Sequence, residues 1–125
     1  MDGLDAAARR LVRERNVPEE LDREFGPSHA LVFEDDGLLV GVGALSGDEI
    51  RRLYVHPDAQ GAGVGSALLT ALEQAARAAG RTSLRLDASP SSVGFYVRHG
   101  YLPREMKELR AGRATFIVVP MTKDN

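Results

Sequence analysis

The stretch Val55–Leu69, "VHPDAQGAGVGSALL", decides how this chain is read. It leaves an extended run, passes Gly61, Gly63 and Gly65 among small residues, and enters an apolar repeat. Glycine lets bare backbone approach a neighbour or a ligand closely. The first N–H groups of a helix, aligned with its dipole, form an anion site that such a loop leaves open. The loop is therefore either a phosphate cradle or a plain turn with small residues for helix packing.

Downstream, Val64, Leu68, Leu69, Leu72, Ala75, Ala76 and Ala79 recur at helical spacing until Gly80 closes the run. "TSLRLDA", residues 82–88, returns to strand, and strand-helix-strand predicts a parallel pair. Ser89 then reads as a helix N-cap with Pro90 at the first helical position, and Val93, Tyr96 and Val97 share a face before Gly100. "EMKEL" and "ATFIVVPM", around Ala111-Gly112, predict a closing hairpin.

Upstream, "EIRRLYV" over residues 49–55 is a strand that His56-Pro57 ends. Before it, "ALVFED" and "LLVGVGAL" flank Asp36-Gly37, a strong hairpin signal, and Ser46-Gly47-Asp48 makes the next turn. Together they predict an antiparallel meander. Leu4, Ala8, Leu11 and Val12 fall on one helical face, predicting an amphipathic helix that ends near Asn16. Pro18 to Gly26 suits a short second helix with Leu21 and Phe25 facing a core. The class is α+β: a mixed, largely antiparallel sheet flanked by helices.

The 125 residues fit a single domain, 1–125. Cysteine is absent, which removes disulfides, thiolate metal sites and a cysteine nucleophile. Sixteen basic and eighteen acidic residues are interspersed at a formal net charge of −2, so no nucleic-acid patch stands out. No segment reaches the roughly 18 apolar residues of a membrane helix, and the N-terminus lacks a signal-peptide core. A cytoplasmic protein without membrane or nucleic-acid partners is expected. His29 and His56 lack metal-ligand spacing with acidic or histidine neighbours, and no metal is expected.

Familiar phosphate loops can be tested against these letters. A Walker A loop needs Gly-Lys-Ser/Thr, but Ser66 follows Gly65 directly. The dinucleotide fingerprint would put its third glycine where Ser66 stands, and would follow the first strand of a parallel unit. Asp87, at the end of the next strand, could imitate its ribose-binding acid, so nucleotide binding remains a rival reading.

The residues resemble another family, the GNAT superfamily of acyl-coenzyme A-dependent N-acyltransferases. Its signature Gln/Arg-x-x-Gly-x-Gly/Ala is matched by Gln60, Gly63 and Gly65 after "LYVHP", and a second block is matched by "SPSSVGFYVRHGY", residues 89–101. The resemblance covers Ala30 to the C-terminus and implies a three-layer GNAT-like fold. Two departures stand out. The family's first strand is lacking in this reading, since the chain is predicted to open on a helix; a partner in a homodimer could supply that edge. Ser89 replaces the asparagine common at the start of the last helix.

The resemblance implies acetyl-coenzyme A as cosubstrate. Backbone groups of Leu53, Tyr54 and Val55 would pair with its pantetheine arm like an added strand, Gln60, Gly61, Ala62, Gly63, Val64, Gly65 and Ser66 would hold the pyrophosphate, and Ser89 would stand at the cofactor contact. Tyr96 would protonate the departing thiolate, although its spacing also suits plain core packing. Glu49 would accept the amine proton through water, although it also suits a solvated strand end. His99, in the last turn of its helix, reads as a C-terminal dipole cap rather than a chemical group. The implied activity is N-acetylation of a small-molecule, peptide or protein amine by direct attack in a ternary complex. A coenzyme A-binding interaction module without turnover is the alternative from a different class.

Overall fold

The computed structural model describes residues 10–14 and 29–125. Its strands are β1 (Arg10–Glu14), β2 (His29–Asp35), β3 (Leu38–Ser46), β4 (Glu49–Val55), β5 (Ser83–Ala88), β6 (Leu102–Pro103), β7 (Lys107–Ala111) and β8 (Ala114–Asp124). Its α-helices are α1 (Val64–Ala78) and α2 (Val93–Arg98). The sheet order is β1-β2-β3-β4-β5-β8-β6, with β7 pairing the first half of β8.

The expected meander is present: β2, β3 and β4 pair antiparallel in sequence order. Asp36 and Gly37, at φ 54° and 81°, form the left-handed turn that twists with its strands. β4 and β5 form the expected parallel pair, and β8 closes antiparallel on β5. The closing hairpin turns at Gly112, where φ is 61°.

The N-terminal reading is corrected. Arg10–Glu14 is not helical but a strand, antiparallel to β2 with Val12 opposite Phe33 and Glu14 opposite Leu31. An apolar pair flanked by charges fits either period, and pairing with the free edge of β2 overrides a weak local helix preference. The sheet therefore has a strand ahead of the meander, and the first strand expected to be lacking is present. The rest of that helix, and the short helix over residues 18–26, lie outside the described residues.

α1 packs across β2, β3 and β4, with Leu68, Leu69, Leu72 and Ala76 fully buried. It sits close because β3 offers glycine: a Cβ at Gly41 would stand 2.8 Å from Leu68 Cδ1, and one at Gly43 2.8 Å from Leu72 Cδ1. Among the described residues one charged side chain, Glu73, enters this core. Glu73 Oε2 accepts from Tyr101 Oη at 2.8 Å and from Lys123 Nζ at 2.9 Å. Asn125 Nδ2 donates to Glu73 O at 3.1 Å, which ties the end of the chain to α1. No helix among the described residues is long and apolar enough to cross a membrane.

Candidate functional site

The site begins where two strands part. β4 and β5 share register at Glu49 opposite Arg85, with Arg85 N donating to Asp48 O at 2.9 Å, and at no later position among the described residues. β4 also carries an extra residue, since Val42 pairs with Tyr54 and Ala44 with Arg51, so residues 52 and 53 oppose Gly43 alone. Such a bulge bends a strand and interrupts its ladder. The Leu53–Val55 end of β4 thus has no paired strand on its β5 side among the described residues.

A groove of about 710 Å³ opens there, walled by Leu53 and Val55, by the glycine loop, and by residues of the α2 segment. From the loop come Ala59, Gln60, Gly61, Gly63, Val64, Gly65 and Ser66; from the α2 segment come Ser91, Ser92, Phe95, Tyr96 and Arg98. Most of the expected cofactor residues meet here. Tyr54, Ala62 and Ser89 do not line the groove: Tyr54 points to solvent, Ala62 N turns back to Ala59 O at 3.3 Å, and Ser89 Oγ lies 2.8 Å from Ser92 Oγ.

The loop is built from its ends inward. His56 N donates to Val40 O at 2.8 Å, extending the β3–β4 ladder, while His56 Nδ1 accepts from Asp58 N at 3.1 Å and caps the 3-10 turn Pro57–Ala59. Gln60 Nε2 reaches back to Val55 O at 3.4 Å. Gly61 and Gly63 sit at φ 83° and 82°, which only glycine adopts without strain, and a Cβ at either would meet nothing within 4 Å. Gly63 is the N-cap of α1, and no side chain caps that end. The first helical bond runs from Ala67 N to Gly63 O, so Val64, Gly65 and Ser66 carry the amides a helix leaves without an internal acceptor. Uncapped amides beside a groove suit an anion.

Gly65 serves a different purpose. Its backbone is helical, and a Cβ there would stand 3.3 Å from Phe95 Cζ, so it is small in order to seat Phe95. Phe95 in turn stacks edge-on to Tyr96, with ring centroids 5.1 Å apart.

Tyr96 is the groove's buried phenol, 8% exposed, with Tyr101 edge-on 5.8 Å away. Its hydroxyl has no hydrogen-bond partner among the described residues, and burial pushes its pKa up. The phenol therefore stays protonated through the neutral range, with its proton uncommitted. The face expected for α2 changes in one respect: Tyr96 is buried, but Val97 points to solvent. Ser89 begins a 3-10 turn, Pro90–Ser92, ahead of the helix, and makes no side-chain cap.

Glu49 is elsewhere. It opens β4 outside the groove lining, with Oε1 2.8 Å from Arg51 Nε and Oε2 3.6 Å from Arg85 Nη1. His99 has a connection its sequence position did not announce: Nε2 lies 3.0 Å from Ser66 Oγ, across 33 residues of chain. The sequence signal for Phe95, Arg98 and His99 was their place in the "GFYVRHG" block; for Ser91 and Ser92 it was the serine run after β5.

An α+β domain with a splayed parallel pair beside an uncapped glycine-rich helix start fits the acyl-coenzyme A-dependent N-acyltransferase fold that the sequence resembles, and comparison narrows it. The sequence matches the family described as "Acetyltransferase (GNAT) domain" over residues 3–125, and the chain belongs to that family. It is 35% identical over 104 residues to the uncharacterized N-acetyltransferase YjcF of Bacillus subtilis, covering 78% of this chain and 74% of that protein. A solved GCN5-related N-acetyltransferase from Rhodopseudomonas palustris superposes with a TM-score of 0.79 at 34% identity, covering 84% of this chain and 66% of that one. A GNAT family acetyltransferase from Elizabethkingia anophelis, solved with acetyl-CoA bound, shares the fold at a TM-score of 0.74 with 12% identity, over 94% of this chain and 99% of that one.

Proposed function

We propose that this chain transfers an acetyl group from acetyl-coenzyme A to a primary amine by direct attack in a ternary complex. The observation that carries the reading is the pairing, on one groove, of an uncapped helix start and a buried phenol whose proton has no acceptor among the described residues. The uncapped amides of Val64 to Ser66 suit a diphosphate, and the open side of Leu53–Val55 suits an extended amide arm.

The cosubstrate brings a thioester. The amine nitrogen attacks its carbonyl carbon, a C–N bond forms and the C–S bond breaks. The thiolate takes the proton of the Tyr96 hydroxyl, and Tyr96 is reprotonated from solvent. With no cysteine in the sequence, no cysteinyl acyl-enzyme intervenes. The amine must shed a proton, since one with a lysine-like pKa of about 10.4 is neutral only about once in 2,500 at pH 7. Glu49 keeps both oxygens on guanidinium groups, so we assign that proton to water in the open groove.

The test has two stages. Acetyl-coenzyme A at 100 times its dissociation constant should stabilise the fold by about 2.7 kcal/mol, and NAD much less. A screen of small amines and peptides with acetyl-coenzyme A, read by free thiol release, should then yield an acceptor. Stabilisation by NAD but not by acetyl-coenzyme A would remove the reading. Tight binding without amine-dependent thiol release would leave a coenzyme A-binding module.

A further inference from the structure

We infer that His99 is a positioning residue: its Nε2–H donates to Ser66 Oγ and so turns the single hydroxyl proton of Ser66 toward an anion at the start of α1. The inference rests on the proposed reading of the groove as a coenzyme A site. Ser66 is the third residue of α1, lines the groove, and stands 3.0 Å from His99 Nε2.

A serine hydroxyl has one proton and two lone pairs, while each nitrogen of a neutral imidazole is either donor or acceptor. The 3.0 Å separation therefore admits two arrangements. With Nε2 bare, Ser66 spends its proton on the ring and shows only lone pairs to the groove, which repel a phosphate oxygen. With Nε2 protonated, the ring donates and the hydroxyl proton is free to join the neighbouring amides. An anion favours the second arrangement, and a shift of tautomer supplies it without a change in ring charge.

The ring is held for this purpose. His99 lies one turn after Phe95, with ring centroids 4.8 Å apart, and Phe95 rests on Gly65, the residue before Ser66. Phe95 and His99 thus grip consecutive residues of the α1 start. The same short helix carries Tyr96 in the groove wall, so α2 serves both the acid and the anion end.

Calorimetry with coenzyme A on wild type and variants tests this. His99→Phe keeps an aromatic ring against Phe95 but removes the donor, and should weaken coenzyme A about tenfold, the scale of a hydrogen bond to a charged group. His99→Gln, whose amide can donate to Ser66, should stay within about threefold of wild type. Ser66→Ala should cost at least as much as His99→Phe, and adding His99→Phe to it should cost less than about twofold more, because the two act through one proton. At saturating acetyl-coenzyme A, kcat of His99→Phe should match wild type while KM rises. In 15N-histidine NMR of the wild type, Nε2 should carry the proton in the coenzyme A complex. Unchanged affinity in His99→Phe, additive losses in the double variant, or a bare Nε2 in the complex would overturn the role. The NMR result stands even if a variant fails to fold. Wild type that binds no coenzyme A would instead remove the groove reading itself, and this role with it.

Discussion

Gly65 and Phe95 are fitted to one another: a Cβ on the glycine would stand 3.3 Å from Phe95 Cζ, closer than packed carbons prefer. Gly65→Val should drive Phe95 outward and disturb Tyr96 and His99 on either side of it. Overpacking of this kind costs about 1–3 kcal/mol. At about 4 °C per kcal/mol for a chain of this size, the melting temperature should fall by roughly 4–12 °C. Phe95→Leu in the Gly65→Val background should recover part of the loss; a melting curve unchanged by Gly65→Val would show that Phe95 has room to move.

Gly63 should fail in another way. At φ 82° in open space, a side chain there meets no wall but strains the backbone by about 1–2 kcal/mol and stands at the uncapped start of α1. Gly63→Leu should remain folded, somewhat less stable, and lose coenzyme A affinity by far more than its stability loss explains. Calorimetry showing wild-type affinity in the folded variant would mean the loop does not hold the diphosphate.

Tyr96→Phe keeps the ring and removes the proton. General acid catalysis is typically worth about 10²–10⁴ in rate, so kcat should drop within that range while acetyl-coenzyme A affinity changes less than about tenfold. Because burial raises the Tyr96 pKa, the acid form persists above the ordinary tyrosine value of about 10, and the wild-type rate should show no loss of this acid below that pH. Glu49→Gln should lower kcat less than about tenfold if water takes the amine proton. Steady-state kinetics with an identified acceptor decide both, and Tyr96→Phe within about threefold of wild type would make Tyr96 a packing residue.

Tyr101 links stability to alkaline pH. Burial first, and then its hydrogen bond to Glu73, push its pKa well above the ordinary tyrosine value. In the unfolded chain a tyrosine ionises near about pH 10, so the stability this group confers is full below about pH 10 and is lost as pH rises further. Tyr101→Phe leaves the buried Glu73 with one donor fewer and should be about 1–3 kcal/mol less stable at pH 7. Its urea midpoint should also fall less steeply above pH 10 than that of wild type; parallel pH curves would show that Tyr101 does not carry the alkaline loss.

The glycines of β3 should be less tolerant than one on α2. Gly41→Ala places a Cβ 2.8 Å from Leu68 Cδ1 and 3.2 Å from the Tyr54 carbonyl, and should cost about 1–3 kcal/mol as α1 is pushed off the sheet. At Gly94 the nearest atom is Arg98 Nη1 at 3.7 Å, a flexible tip, so Gly94→Ala should be neutral or stabilise by about 0.4–1 kcal/mol. Thermal melts of both variants check the contrast, and equal shifts would contradict it.

The meander, the parallel crossover, α1 and the glycine loop were legible because each rests on a local rule. Asp36-Gly37 demands left-handed angles, the Val64 to Ala76 repeat has one face to bury, and Gly61 and Gly63 mark a backbone that L side chains resist. That Tyr96 and most of the loop residues share one groove was foreshadowed by two sequence blocks that fold against each other. What decided the rest is contact between distant segments, which no window of sequence contains. Arg10–Glu14 is a strand because β2 offers it an edge, although its letters suit a helix equally well. Gly65 leaves room for Phe95, thirty residues away, a contact its own loop does not contain. Glu49 is held by Arg85 from another strand, and His99 meets Ser66 because α2 packs on the start of α1. Local propensity differs by only tenths of a kcal/mol between alternatives, whereas a run of strand pairs or a packed ring contributes more than that. Where the two disagree, tertiary structure prevails.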